Sequence, residues 1–245
     1  MQAARPDGYS NGDGTFTLVI DAGHGGKDPG CTGSVRSHRE KDITLNIALS
    51  VGHLVEENLA DVNVVYTRTT DTFVELGRRA EIANRAKADL FVSIHVNAVP
   101  KRSGQPIGVQ SYTLSLEPSA VNLEVEKREN SVIALEGDAA LQYDYSGSAE
   151  SDILFELMQD RDMRQSVAFA QLAQNEMIRT AGRADMGVRQ ANFAVLRLTY
   201  MPSVLLEVGF ISTPAEETFL TSATGQAQLA RAIYNAIAQY CRQNK

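Results

Sequence analysis

The sequence predicts a single α/β domain with a mainly parallel (mixed) central sheet and helices on both of its faces. Short apolar runs rich in β-branched residues alternate with longer segments of helical period, which is typical of this class. The 245 residues are enough for one large domain with a substantial core. The predicted strands are Thr17–Asp21, Val62–Thr67, Leu90–His95, Gly108–Leu114, Ala194–Leu196 and Ser203–Glu207. The predicted helices are Asp42–Leu59, Leu76–Ala86, Asp152–Gln159, Met163–Thr180 and Gly225–Arg242.

The first strand and the first helix carry the clearest patterns. The apolar run TLVID ends at the segment AGHGG, in which His24 stands between glycines. Glycine lacks the Cβ that would block a tight turn or a close approach. We therefore expect His24 to be presented at the strand end, with room for a bulky substrate beside Gly23, Gly25 and Gly26. In the helix that follows, apolar residues recur at spacings of three and four and form one core-facing stripe, made of Ile43, Ile47, Val51, Leu54 and Val55.

One long interlude departs from the alternation. Residues 1–15 are a polar lead-in, and residues 16–245 form the domain, with an inserted segment at about 115–150. An interlude of this length usually carries function or disorder. Pro118 suits the first turn of a helix, and an apolar stripe follows it through Val121, Val125, Val132 and Ile133. Glu129 falls on this stripe, where a carboxylate needs a charged partner unless the helix is only half buried.

Composition excludes several classes of function. The net charge of −7 argues against binding to nucleic acid, which requires basic patches. No apolar run approaches the roughly 20 residues of a membrane span. Two cysteines, Cys31 and Cys241, are too few for a disulfide framework or a cysteine metal site. The first residues lack the apolar segment of a signal peptide, so an exported protein would need a targeting segment that this sequence does not contain.

Four polar residues stand at predicted strand ends or at a helix start. His24 follows the first strand, His95 and Glu207 end two later strands, and Glu40 immediately precedes the first long helix. In open α/β sheets, ligands bind outside the carboxyl ends of the strands. Two histidines and a carboxylate suit a catalytic zinc ion, and a second carboxylate can act as general base for its water. The pattern does not decide which of Glu40 and Glu207 has which role.

Each of these residues has a simpler explanation when it is taken alone. A single histidine at a strand end is most often a satisfied polar residue, and Glu40 is a good capping acid for a helix. The carboxylate of Glu207 is harder to explain, because it follows a core-type apolar run and needs a partner. Of the other histidines, His53 is expected to be structural or exposed, whereas His38 is an alternative metal ligand two residues from Glu40.

Five segments together resemble a known enzyme family. They read VIDAGHGGKDPG, REKDITLNIA, VVYTRTTDTFVELGRRAEIAN, ADLFVSIHVNA and MPSVLLEVGFIS. They resemble the zinc-dependent N-acetylmuramoyl-L-alanine amidases of the amidase-3 type, which include the cell-division amidases of Gram-negative bacteria, and the likeness runs from Thr17 to about Tyr240. The resemblance implies that His24, Glu40 and His95 bind zinc and that Glu207 is the catalytic acid/base. It also implies hydrolysis of the bond between N-acetylmuramic acid and L-alanine in periplasmic peptidoglycan, and we expect Asn97 to hydrogen-bond the substrate.

The same resemblance assigns a role to the inserted segment. Division-type amidases carry an inhibitory helix here, whose glutamate binds the zinc, so Glu129 is implied as an inhibitory fourth ligand. The implied partner is an activator protein with a degenerate LytM-type domain. The alternatives are a zinc carboxypeptidase or deacetylase that acts on another cell-wall amide, and a non-catalytic peptidoglycan-binding scaffold. All four site residues are present, which disfavours the scaffold.

Overall fold

The computed structural model describes residues 15–100, 105–115, 122–137 and 149–244 and contains a six-stranded mixed sheet. The strands are β1 (Phe16–Ala22), β2 (Val62–Tyr66), β3 (Leu90–Asn97), β4 (Val109–Leu114), β5 (Asp185–Ala191) and β6 (Ser203–Phe210). Their order is β2-β1-β3-β6-β4-β5, and every neighbouring pair is parallel except β4 with β6. The predicted α/β class with a mainly parallel sheet is confirmed.

Helices cover both faces of this sheet. They are α1 (Glu40–Asn58), α2 (Leu76–Arg85), α3 (Leu123–Asn130), α4 (Ala149–Ala181), α5 (Ala194–Arg197), α6 (Pro214–Thr221) and α7 (Ala223–Gln243), with a 3₁₀ helix at Ser131–Leu135. Successive strand residues point to opposite faces. Leu18 and Ile20 therefore pack in the core cluster that contains residues of α1, α4 and α7, whereas Val19 packs in the cluster that contains residues of α2 and α5.

The three central strands bring their carboxyl ends to one edge of the sheet. Strands β1, β3 and β6 are neighbours and run in the same direction. In this register His95 on β3 lies opposite Glu207 on β6, and Ala22 at the end of β1 lies opposite Ile94. The segment after β1 therefore lies beside the carboxyl end of β3, where the sequence predicts the functional residues.

One predicted strand is wrong and another was missed. The segment Ala194–Leu196 is buried but helical, since it forms most of α5. The actual fifth strand is Asp185–Ala191, an edge strand that pairs only with β4 among the described strands. Most of its side chains are partly exposed, and Gly187 has a φ of 89°. It therefore lacks the continuous apolar run that marks a buried strand.

Two further differences concern helices. The predicted helices Asp152–Gln159 and Met163–Thr180 are one helix, α4, because the charged residues between them do not break helical structure. Helix α6 was not predicted, although Pro214 stands in its first turn.

Residues 1–14, Pro118 and Val121 lie outside the described residues. Within the part of the chain that is described, no helix has the length and hydropathy needed to cross a membrane.

Two buried arginines hold the segment that follows β1. Arg79 of α2 donates to Asp21 Oδ1 and to the carbonyl oxygens of Ala22 and His24, each at 2.7 Å. Arg68 donates to the carbonyl oxygens of Ala22 at 2.9 Å and Gly23 at 2.8 Å. The Arg79 side chain is 2% exposed and that of Asp21 is fully buried. These hydrogen bonds compensate for the removal of the charges of Arg79 and Asp21 from water.

We predict that Arg79→Leu lowers the free energy of unfolding by about 3–5 kcal/mol, because it leaves the Asp21 carboxylate buried without its cation. Urea unfolding followed by circular dichroism measures the change. The matched control is Arg85→Leu on the same helix, whose side chain is 72% exposed and pairs with Glu81. An exposed pair contributes at most about 1 kcal/mol. Equal losses in the two variants would contradict a structural role for the buried pair.

Candidate metal centre

Four buried side chains meet at the carboxyl edge of the sheet. His24 lies in the loop after β1, Glu40 is the first residue of α1, His95 is near the end of β3, and Glu129 lies in the last turn of α3. Each offers one ligand atom, and these atoms all lie within 4.8 Å of one another. Residues that are far apart in the sequence thus form one compact cluster of two imidazoles and two carboxylates, which we call the ligand cluster.

Glycines make room for the members of this cluster. Gly23 packs so closely on His95 that an added Cβ would lie 2.6 Å from Cε1 of the ring. Gly30, with a φ of 63°, faces the Glu40 carboxylate, where a Cβ would lie 2.6 Å from Oε2. The expectation that the glycines leave room for substrate is wrong for Gly25 and Gly26, because protein backbone at Thr72 and Phe73 occupies those positions.

Four of the distances between the ligand atoms match the edge length of a tetrahedral zinc site. His24 Nε2 lies 3.1 Å from Glu40 Oε1 and 3.3 Å from Glu129 Oε2. His95 Nδ1 lies 3.2 Å from the same atom of Glu40 and 2.9 Å from that of Glu129. Four ligands at zinc bond lengths of about 2.0–2.1 Å in a tetrahedron are separated by about 3.3 Å. Nε2 of His24 and Oε2 of Glu129 have no hydrogen-bond partner among the described residues, as expected for atoms that bind a metal.

The electrostatics of the cluster favour a bound cation. Burial disfavours the charged imidazolium of His24, but Glu40, Asp28 and Glu129 outweigh it and hold the pKa of His24 well above its ordinary value. The same balance, with Glu129 as the main opposing charge, raises the pKa of His95 to about 9. The imidazoles in turn hold the pKa values of Glu40 and Glu129 below their ordinary range despite burial. The two buried carboxylates therefore stabilise positive charge at this position, and a divalent metal ion can supply that charge.

The ligands are oriented by a second set of hydrogen bonds. His24 Nδ1 lies 2.6 Å from Asp28 Oδ2, and Asp28 Oδ1 also accepts from the backbone N–H of Gly30 at 3.1 Å. This contact leaves Nε2 of His24 free to face the cluster. The carboxylate of Glu40 accepts from the N–H of Val96 at 2.8 Å and of Cys31 at 2.7 Å. Asp28 stands in the same glycine-rich run as His24, but no pattern in the sequence marks it as the residue that orients a ligand.

Glu207 lies beside the ligand cluster and is not one of its four members. It is fully buried on β6, next to His95 in the sheet register. Oε2 of Glu207 has no hydrogen-bond partner among the described residues, and Oε1 lies 3.5 Å from a guanidinium nitrogen of Arg128. Burial and the charge of Glu129 raise the pKa of Glu207 to about 8, although Arg128 opposes them. This placement suits a carboxyl group that exchanges protons.

Arg128 is a further charged residue at the site, and it is not among the residues predicted from the sequence. Its guanidinium donates to the carbonyl oxygen of Ala98 at 2.6 Å and to Asn97 Oδ1 at 3.0 Å. It also contacts Glu129 Oε1 at 3.0 Å. Asn97, which we expected to bind substrate, is thus occupied by the inserted helix. Its position directly before Glu129 in the sequence could have indicated Arg128, since it places a cation next to a ligand.

Helix α3 closes the site. Glu129 is only 5% exposed, so the alternative that it lies at the margin of a half-buried helix is wrong for the position of Glu129, although α3 itself is half-buried. Val132 is buried in the core cluster of α2 and α5, and Val125 and Ile133 pack against that cluster. The cavity that remains beside His24, His95 and Glu129 measures about 10 Å³, which is room for about one water molecule.

Polar contacts attach the inserted segment to the rest of the domain. Asn130 exchanges hydrogen bonds with the backbone of residues 192 and 194, at 2.9 and 2.8 Å. Glu126 accepts from the N–H of Asn192 at 3.0 Å. On the other side of the site, Glu136 accepts from the N–H of Leu76 at the start of α2 at 2.7 Å. The described part of the segment, residues 122–137, is therefore held by these hydrogen bonds as well as by the apolar contacts of Val125, Val132 and Ile133.

The remaining candidates lie away from the ligand cluster. His38, the alternative ligand, has Nδ1 2.8 Å from Glu217 Oε1 and takes no part in the cluster. His53 is 71% exposed beside Glu56 on α1, as expected. Cys31 and Cys241 are not joined by a disulfide bond.

Comparisons with known proteins place this arrangement in context. Residues 18–239 match the amidase-3 family, described as N-acetylmuramoyl-L-alanine amidase. The chain is 32% identical over 242 residues to N-acetylmuramoyl-L-alanine amidase AmiC of Escherichia coli O6:H1, covering 98% of this chain and 56% of that protein. The chain thus spans just over half the length of this curated relative.

Two solved structures are similar along nearly the whole chain. An N-acetylmuramoyl-L-alanine amidase from Clostridium difficile 630 superimposes with a TM-score of 0.71 at 28% identity, covering 95% of this chain and all of that one. The CwlD amidase from Clostridioides difficile, in complex with the GerS lipoprotein, has a TM-score of 0.69 at 26% identity, covering 94% of this chain and all of its own.

We predict that Asp28→Asn weakens zinc binding by about 10- to 100-fold, because the amide cannot accept from both His24 and Gly30 and so orients the imidazole less well. Competition with a zinc-binding dye measures the affinity. Asp42→Asn is the control, since the Asp42 side chain is 38% exposed and pairs with Arg39 on the surface. Unchanged zinc affinity in Asp28→Asn would show that this contact does not support the ligand.

Proposed function

We propose that this chain, which belongs to the N-acetylmuramoyl-L-alanine amidase family, is a zinc-dependent hydrolase of peptidoglycan. The bond cleaved is the amide between the lactyl group of N-acetylmuramic acid and the L-alanine that begins the stem peptide. The observation that carries the proposal is the ligand cluster, whose spacing and unpaired atoms suit zinc. The match over residues 18–239 supports the choice of substrate.

His24, Glu40 and His95 would hold the zinc ion from the body of the domain. Zinc in such a site lowers the pKa of a water molecule and polarises the scissile carbonyl. Asp28 keeps the imidazole of His24 oriented, and the N–H groups of residues 31 and 96 do the same for the carboxylate of Glu40. The protein thus supplies a site whose geometry is set before substrate arrives.

Glu207 carries the protons of the reaction. As a carboxylate it accepts a proton from the attacking water, and as an acid it returns that proton to the amide nitrogen when the C–N bond breaks. Its burial keeps bulk water from competing for the proton. In the closed state burial and the charge of Glu129 raise the pKa of Glu207, and the guanidinium of Arg128 opposes them.

Helix α3 is an inhibitory plug in this proposal. Glu129 takes the fourth position of the ligand cluster and α3 leaves too little space for a sugar-peptide. A tethered ligand competes at an effective concentration of order millimolar, so substrate alone displaces it poorly. We propose that an activator protein, with a degenerate LytM-type domain, binds the inserted segment and stabilises the open state. The solved CwlD amidase bound to a lipoprotein is an example of an amidase with a protein partner.

The proposed substrate indicates the compartment in which the enzyme acts. Peptidoglycan lies outside the cytoplasm, so we propose that the protein acts in the periplasm. The inhibitory plug fits a role in splitting the septal wall during cell division, where uncontrolled hydrolysis would be harmful.

We predict that the plug-weakened chain Glu129→Ala releases stem peptides with a free N-terminal L-alanine from purified peptidoglycan, and that a chelator abolishes the release. Adding His95→Ala should remove bound zinc, because it removes a ligand. Adding Glu207→Gln should keep zinc but lower turnover by about 10²- to 10⁴-fold, because only the proton carrier is lost. Mass spectrometry of the products and metal analysis provide the two readouts. Release of single amino acids or acetate instead would identify a carboxypeptidase or a deacetylase.

We predict that Glu129→Ala raises hydrolysis without activator by about 10- to 100-fold, since a contact to a charged group contributes about 1.5–3 kcal/mol. Deletion of residues 118–147 should raise it at least as much. Release of dye from labelled peptidoglycan measures the rates. Glu124→Ala is the matched control on the same helix, because Glu124 is exposed. An intact chain that already hydrolyses as fast as the deletion variant would disprove the plug.

A further inference from the structure

Three oxygen atoms from the body of the domain converge on the guanidinium of Arg128. They are the backbone oxygen of Ala98 at 2.6 Å, Oδ1 of Asn97 at 3.0 Å and Oε1 of Glu207 at 3.5 Å. We call these three atoms the acceptor pocket. None of them belongs to the inserted segment, and both Asn97 and Glu207 are fully buried. The acceptor pocket therefore remains part of the domain when α3 leaves the site.

The pocket is built to receive a cation with several N–H groups. A carboxylate, a carbonyl and an amide oxygen can only accept hydrogen bonds in this arrangement. Asn97 is held with its oxygen toward Arg128, because its Nδ2 donates to Gln110 Oε1 at 3.3 Å. Gln110 Oε1 also accepts from the hydroxyl of Tyr112 at 3.1 Å. Once Arg128 withdraws, three buried acceptors have lost a donor and favour a new one.

The reaction itself produces such a donor, if the proposed function holds. In amide hydrolysis the water oxygen bonds to the carbonyl carbon and the C–N bond breaks. The nitrogen, which carried one hydrogen in the amide, takes one proton through Glu207 and becomes a primary amine. It takes a second proton from solvent near neutral pH and becomes an ammonium group, because α-amino groups have pKa values of about 7.7–8.0. An ammonium has three N–H donors, and the pocket has three acceptors.

We propose that the acceptor pocket binds the α-amino group of the released stem peptide, and that Arg128 occupies this subsite as a built-in mimic of the leaving amine. This assignment rests on the proposed amidase function and deepens it. It gives Asn97 a defined role, which is to accept a hydrogen bond from the leaving amino group. It also makes the pocket selective for the product-like state, because the amide substrate offers only one N–H.

The test is binding of L-alanyl-D-isoglutamine to the zinc-loaded full chain that carries Arg128→Ala and Glu129→Ala, measured by calorimetry. These two substitutions empty the pocket and weaken the plug. The dipeptide should bind at least about tenfold more tightly than its N-acetylated form, in which a neutral acetamide replaces the cationic amine. Equal affinities for the two dipeptides would overturn the proposal.

Two substitutions of Asn97 in the same background distinguish the pocket from direct contact of the amine with zinc. Asn97→Leu should weaken binding of the free dipeptide by about tenfold, because one acceptor is lost, whereas Asn97→Asp should strengthen it, because a charge is added. Damage to the fold would weaken binding in both variants, and zinc content and thermal unfolding monitor such damage. Unchanged affinity in both variants would show that the amine is held elsewhere and would overturn the assignment.

The outcome is separable from a failure of the amidase proposal. Release of stem peptides from peptidoglycan without selective binding of the free amine would leave the amidase function intact and remove only the subsite. Release of no stem peptide by the Glu129→Ala chain with zinc bound would overturn the function itself, and the pocket would then lose its assigned ligand.

Discussion

The site depends on the binding of two buried arginines to the loop that follows β1. Arg79 and Arg68 bind the carbonyl oxygens of residues 22 to 24, and Arg79 is neutralised by Asp21. The loop holds His24 in a left-handed conformation with a φ of 61°, which a non-glycine residue adopts only when its surroundings impose it. Because His95 and Glu40 pack directly against Gly23 and Gly30 of the same loop, its shape sets the spacing of all the ligands that the domain contributes.

Charge complementarity explains how one short helix can close this site. Two consecutive residues of α3 carry opposite charges, and each is matched to a different part of the domain. Glu129 supplies an anion to the two imidazoles of the ligand cluster, and Arg128 supplies a cation to the acceptor pocket beside Glu207. The inserted segment is also held by hydrogen bonds to backbone and by the apolar contacts of Val125, Val132 and Ile133 with the core. Such an element can exist in two states whose free energies are close enough for a partner to select between them.

The sequence and the structure agree most closely where hydrophobic periodicity is strong. Strands β1, β3 and β6 are almost continuous apolar runs because both of their faces are buried, so their positions could be predicted. Strand β5 is an edge strand with half-exposed side chains, and the nearby run at 194–196 is buried while being helical. An apolar pattern reports burial, and three residues are too few to distinguish the two kinds of backbone.

By itself the sequence determined the residue types at the strand ends and the family. His24, His95 and Glu207 each follow or end an apolar strand run, and parallel strands bring such positions to one edge. The family resemblance implied Glu129 as a fourth ligand, and the structure places it in the ligand cluster. Only the tertiary structure decided that Asp28 orients His24 and that His38 pairs with Glu217 instead. These contacts depend on distances between elements far apart in the chain. Periodicity records which side of an element is buried, but it carries no information about which buried polar groups come within hydrogen-bonding distance of one another.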